Sequence, residues 1–105
     1  MSRRFPVCTL EELKRRRSVI RWIDDLRDEV VLVWLDGAPG AYSSVCPHFA
    51  GPLEPDFRSR TLYCPWHGWR FAMDDGRCLT HSMKCTVRRY EVIDRDGQLE
   101  IATDD

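Results

Sequence analysis

At 105 residues the chain is long enough for one hydrophobic core and too short for a second catalytic unit, so its function sits on a single module. Apolar residues at 43%, charged residues at 31% and a formal net charge of −1 describe an ordinary soluble domain. They exclude a disordered chain and the overall basic surface of a nucleic-acid binder.

The charge is arranged in blocks. Residues 1–21 hold seven basic and two acidic groups, 22–57 one and seven, 58–89 seven and two, and 90–105 one and six. The run Lys14-Arg15-Arg16-Arg17 reads as a solvated loop or strand edge, with a patch for an acidic partner as the alternative. No stretch approaches the roughly 20 apolar residues of a membrane span, and Arg3-Arg4 lacks the hydrophobic stretch of an export signal. A monomer in a reducing cytoplasm is the expectation.

Taken in order, Phe5-Pro6-Val7-Cys8 is a short extended segment, with Pro6 pointing to an edge. Thr9 followed by Glu12 has the form of a capping box, predicting one helical turn over Leu10 to Lys14. Ser18 to Ile23 and Val30 to Leu35 are β-branched and apolar runs of strand length, separated by an acidic turn from Asp24 to Glu29. A helix from Val19 to Trp34 is the competing assignment. Asp36 to Gly40 is a turn by composition, and Ala41 to Val45 leads out of it. Gly51-Pro52 and Glu54-Pro55 keep the next stretch irregular. Thr61 to Tyr63 and Trp69 to Met73 are strands. Asp74-Asp75-Gly76-Arg77 carries a hairpin signal with Cys78-Leu79 returning, and Val87 to Ile93 with Gln98 to Ile101 form a second hairpin around Asp94 to Gly97. About nine short strands and almost no helix predict an antiparallel all-β domain over residues 1–105.

Two runs carry chemistry, Cys46-Pro47-His48 and Cys64-Pro65-Trp66-His67, fifteen residues apart. Each offers one thiolate and one imidazole from a single turn. Thiolate sulfur favours zinc, copper(I) or iron–sulfur centres, and imidazole suits zinc and iron alike. A structural zinc site usually pairs Cys with Cys and His with His, whereas here each run is mixed. Mixed loops suit two irons, one taking both Cys and the other both His. A structural zinc module that binds a partner without redox work is the alternative from another class. Five cysteines cannot all pair within one chain. Beyond Cys46 and Cys64, the expectation for Cys8, Cys78 and Cys85 is a small buried apolar residue.

The strings CPHFAGPL and CPWHGWRF, including Gly68 after the second His, closely resemble the C-x-H and C-x-x-H loops of the Rieske family. Nearly the whole chain can be laid along the small Rieske ferredoxins that feed electrons to bacterial ring-hydroxylating oxygenases. That resemblance implies three antiparallel sheets and a cluster-binding subdomain at about residues 44–80. It implies one [2Fe–2S] cluster, with Cys46 and Cys64 on the inner iron and His48 and His67 on the outer one. Where the cytochrome-complex branch has an extra Cys in each loop, this chain has Gly51 and Trp66. Where that branch has hydroxyl donors to cluster sulfur, it has Trp69 and Phe71. Their lack implies a low potential. The family's proline loop, near Thr86, has no counterpart in Lys84-Cys85-Thr86, and His81 beside it is either a plain loop residue or a second metal or regulatory group.

The implied function is one-electron carriage from a ferredoxin reductase to a terminal oxygenase, docking near His48 and His67, with Phe49, Pro65 and Trp66 around them. A small redox subunit of a nitrite-reductase-like complex is the alternative. A two-His-one-carboxylate iron site needs two further His and only His81 remains, so oxygen chemistry lies in another protein and no catalytic residue is assigned.

Overall fold

Val30, Val31, Leu32 and Val33 are all fully buried, and since side chains alternate along a strand they supply two different cores. The computed structural model describes residues 3–47, 50–81 and 85–103. These residues sit in the middle of β3 (Asp28–Leu35), which pairs antiparallel with β2 (Ser18–Ile23) on one side and β4 (Ala38–Ser43) on the other. The remaining strands are β1 (Arg3–Thr9), β5 (Glu54–Asp56), β6 (Thr61–Cys64), β7 (Trp69–Ala72), β8 (Arg89–Arg95) and β9 (Gln98–Thr103). One helix, α1 (Leu10–Arg16), and a single 3-10 turn at Asp24–Leu26 complete the described elements.

The strands form a six-stranded sheet in the order β1-β9-β8-β4-β3-β2 and a three-stranded sheet in the order β5-β6-β7. Every pairing is antiparallel, so the all-β class is as expected. Two sheets appear where the resemblance implied three. The larger one is two ribbons fused at a narrow seam, where β4 and β8 pair only through Ala41 with Tyr90 and Tyr42 with Arg89.

Side chains strengthen that seam. Asp28 accepts a hydrogen bond from the Ser43 hydroxyl at 2.9 Å and another from the Tyr90 hydroxyl at 2.6 Å, joining β3, β4 and β8 through one carboxylate. One core lies between the small sheet and the Val31, Val33 and Tyr42 face of the large one. The other collects Val19, Val30 and Leu32 with Leu13 of α1 and Leu99 and Ile101 of β9.

Several local expectations are corrected. Thr9 caps α1 by accepting the Glu12 N–H at 3.1 Å, but the helix continues to Arg16, nearly two turns rather than one. Buried Leu13 anchors it, Glu11 and Glu12 occupy its first turn, and Lys14, Arg15 and Arg16 its last, as the helix dipole favours. The basic run is therefore a helix end, with Lys14 over the Trp34 ring at 5.2 Å and Arg17 over Phe57 at 4.5 Å. The Asp36–Gly40 turn shrinks to Asp36-Gly37, because Pro39 sits where β4 has a neighbour on one side only and a missing N–H costs no ladder bond. Glu54–Asp56 is a strand rather than irregular, and Cys78 returns through an isolated bridge to Phe71 rather than a strand. The helix from Val19 to Trp34 is excluded.

Because Asp28 serves both hydroxyls, Asp28→Ala should lower unfolding free energy by about 2 kcal/mol in chemical denaturation. Asp28→Asn, which keeps an acceptor, should lose less.

Candidate metal centre

Both loops are closed by backbone hydrogen bonds on either side of their cysteines. In the first, Val45 and Pro52 form a bridge, Leu53 donates to the Ser44 carbonyl at 2.9 Å and Cys46 donates to that of Gly51 at 2.8 Å. Ala50 donates back to the Cys46 carbonyl at 2.9 Å. His48 and Phe49 lie outside the described residues. The second loop is the tip of the β6–β7 hairpin, where Cys64 faces Trp69 and Pro65, Trp66, His67 and Gly68 make the turn. Gly68, at φ +71°, takes the left-handed conformation that lets its N–H reach the Cys64 carbonyl at 2.9 Å.

The two residue types separate by depth. Cys46 and Cys64 are 2% and 1% exposed and share one core with Leu53, Leu62, Trp69, Phe71 and Met73. Pro47, Pro65 and His67 are exposed, and Trp66 stands 60% exposed at the tip. The structure thus buries both thiols and sets the described imidazole at the surface. Among the described residues no three metal-ligating side chains gather as a one-ion site requires, His48 being outside them.

Gly51 joins the loops. A Cβ there would lie 2.9 Å from two atoms of the Trp66 indole and 3.2 Å from the Cys64 sulfur. The loops therefore meet by direct packing at the two positions that hold the extra cysteines in the cytochrome-complex branch. Sequence alone marked Gly51 and Trp66 as absences; their contact needed coordinates. Two thiols held inward around a glycine that leaves space at Cys64, with an imidazole outward, fit a cluster bound by sulfur inside and nitrogen outside.

Supporting groups surround this centre. Trp69 and Phe71 are buried where hydroxyl donors stand in the other branch. The Arg70 guanidinium donates to Asp56 at 2.9 Å, Ser59 at 3.1 Å and Thr61 at 3.0 Å, bracing the small sheet. That Arg70 hydrogen bond, then one from Ser59, holds the Asp56 carboxyl below its usual range. His81 stacks on Trp69 with ring centroids 3.9 Å apart. Of the three spare cysteines only Cys8 is buried as expected; Cys78 and Cys85 are half-buried, because each packs against the core from its edge, on a segment outside the named strands.

Antiparallel sheets presenting two loops, each with one Cys and one His, define an iron–sulfur electron-transfer domain. Residues 3–91 match the Rieske [2Fe-2S] domain, and the chain belongs to that family. Its cofactor is accordingly one [2Fe–2S] cluster, and the zinc-module alternative is set aside. Chlorophyllide a oxygenase of Oryza sativa subsp. japonica chloroplasts is 28% identical over 103 residues, 92% of this chain and 18% of that protein. The chain spans less than a fifth of the length of the curated relatives it matches. Among solved structures, the ferredoxin of carbazole 1,9a-dioxygenase from Nocardioides aromaticivorans IC177 is similar with a TM-score of 0.76. It is 25% identical, over 93% of this chain and 95% of that one. A protein assigned as the small subunit of an NADH-dependent nitrite reductase from Mycobacterium tuberculosis has a TM-score of 0.74. It too is 25% identical, over 100% of this chain and 98% of that one. Among the described residues no helix is long and apolar enough to cross a membrane.

Two outcomes follow from this geometry. Gly51→Ala should push Trp66 and the Cys64 sulfur away from residue 51 and speed the loss of visible absorption on mild heating. Asp56, with its depressed pKa, stabilises the small sheet above the ordinary carboxylate pKa of about 4. That contribution fades as pH falls through the lower folded value, so Asp56→Asn should flatten the acid limb of a stability profile.

Proposed function

We propose that this chain is a low-potential one-electron carrier that takes electrons from a reductase and delivers them to a terminal oxygenase. The observation that carries this is the depth separation, with both loop thiols in the core and His67, Pro65 and Trp66 exposed at the tip. In this proposal Cys46 and Cys64 hold the inner side of the cluster, and His48 and His67 the outer side. Residues 1–105 act as one domain with a cluster-binding part at about 44–80, working as a monomer in the cytoplasm. When bound, the cluster supplies reversible uptake of one electron. The chain's own residues bury the thiolates away from water and leave a small apolar patch at the tip for brief contact, as the small interfaces of redox encounters require. Charged groups around the tip set approach rate and salt dependence more than the electron step. The full-length likeness to a dioxygenase ferredoxin supports this reading.

A second reading, a redox subunit held within a nitrite-reductase-like complex, is favoured by the equally complete likeness to a small subunit of that kind. Stable co-purification with a large partner would select it over the mobile carrier.

Cys46→Ser and Cys64→Ser should each abolish the visible absorption and lower stability, since metal binding and loop order are coupled. Unchanged iron content in either would overturn the ligand assignment. With no hydroxyl at Trp69 or Phe71, the midpoint should fall near the low end of the Rieske range of about −150 to +300 mV in voltammetry. Trp66→Ala, with cluster and potential retained, should slow electron delivery at limiting carrier concentration, whereas Arg88→Ala should not.

A further inference from the structure

Cys78 and Cys85 lie outside the two loops, and electron carriage does not use them. Their placement is a matter of register. Arg77 and Thr86 form an antiparallel bridge, flanked by Val87 donating to the Gly76 carbonyl at 2.9 Å and Cys78 donating to that of Cys85 at 3.3 Å. One step along, Cys78 and Cys85 stand opposite each other. Hydrogen-bonded partners at such a position have Cα atoms about 5.5 Å apart, within the roughly 4.4–6.8 Å window of a disulfide. Their side chains share a face. Both are half-buried against the core that contains Cys46.

A proton route adjoins this pair. Thr80 Oγ1 lies 3.9 Å from Cys78 Sγ and 2.9 Å from His81 Nδ1, and it accepts the Arg70 backbone N–H at 3.2 Å. Its own hydrogen can then point to His81 Nδ1, leaving the oxygen to receive the thiol proton of Cys78. Stacking on Trp69, with 15° between the rings, holds the imidazole in place. Cys78, with the Thr80 hydroxyl beside it, is the thiol that has a proton acceptor at hand, which makes it the attacking group.

We propose that Cys78 and Cys85 form a redox-active dithiol that low-molecular-weight disulfides oxidise to an intramolecular disulfide, with Cys78 attacking and Cys85 resolving. Cys78 passes its proton through Thr80 to His81, and its sulfur bonds to one sulfur of the small disulfide. The S–S bond of that molecule breaks, and its other sulfur leaves with the proton from His81. Cys85 then attacks the Cys78 sulfur, the mixed disulfide breaks, and the second small thiol departs with the Cys85 proton. The chain loses two electrons and two protons, and one small disulfide becomes two thiols. The product links Cys78 to Cys85 and fastens both against the core that holds Cys46.

The test uses cluster-loaded protein incubated with excess oxidised glutathione, quenched in acid, alkylated and digested with trypsin. Cleavage after Arg77, Lys84 and Arg88 turns the disulfide into a joined pair of peptides, 78–84 with 85–88. That pair should accumulate with the visible absorption retained. Cys85→Ser should stop at a glutathione adduct on Cys78. Thr80→Val and His81→Gln should each slow the reaction roughly tenfold or more with the cluster spectrum unchanged, as loss of proton transfer predicts. Glutathione on the two cysteines singly, reaction at Cys8 instead, or a disulfide appearing only as the visible absorption is lost would each overturn the proposal. Unchanged rates in both Thr80→Val and His81→Gln would overturn the proton route. Should Cys85→Ser fail to hold a cluster, the joined peptides of the unaltered protein still decide.

Discussion

The fold depends on a strand that is apolar on both faces. Val31 and Val33 of β3 face the core beneath the loops, and Val30 and Leu32 face the core beneath α1. A strand covered on both sides has no solvent face to exchange with its core face, so a one-residue slip would strip each core of its partners at once. Its neighbours inherit that register. β4 pairs along β3 from Ala38 to Ser43, and Ser44 then delivers the chain into the first loop in a fixed orientation. The position of Cys46 is thus set by valines on another strand.

The second cysteine is placed by different means. β6 and β7 are only four residues each, and they hold Cys64 by pairing it with Trp69 across a tight tip. Two unrelated pieces of chain, one leaving the large sheet and one turning back within the small sheet, meet over a shared core. The buried sulfurs and exposed tip result from this meeting. Alternation at the end of β6 sends Cys64 inward and lets the turn carry His67 outward.

Much of this was legible in the chain. β2 was readable to the residue, and the unbroken apolar run from Val30 to Leu35 read as a strand, its cover on both faces being visible only in the fold. The mixed Cys and His spacing marked two loops that the fold does bring together, at Gly51 and Trp66. What escaped had non-local causes. β5 contains Pro55 and is only three residues long, so nothing in its own composition outweighs the turn signals around it. Pro39 was misplaced because its tolerance depends on where β8 stops pairing with β4. The facing of Cys78 and Cys85 depends on the register of two segments that form no strand of their own. The fusion of two ribbons at Ala41 and Tyr42 likewise rests on β8, from the far end of the chain.

The contact between Gly51 and Trp66 has a thermodynamic character of its own. A sulfur–sulfur link would make the alignment of the loops depend on the oxidising strength of the surroundings. Packing of an indole on a glycine involves no electrons and no protons, so neither ambient thiols nor a change of pH alters it. Its strength follows temperature and solvent instead, as buried apolar surface does. The frame that aligns the two loops is therefore chemically inert to the kind of traffic that passes between them.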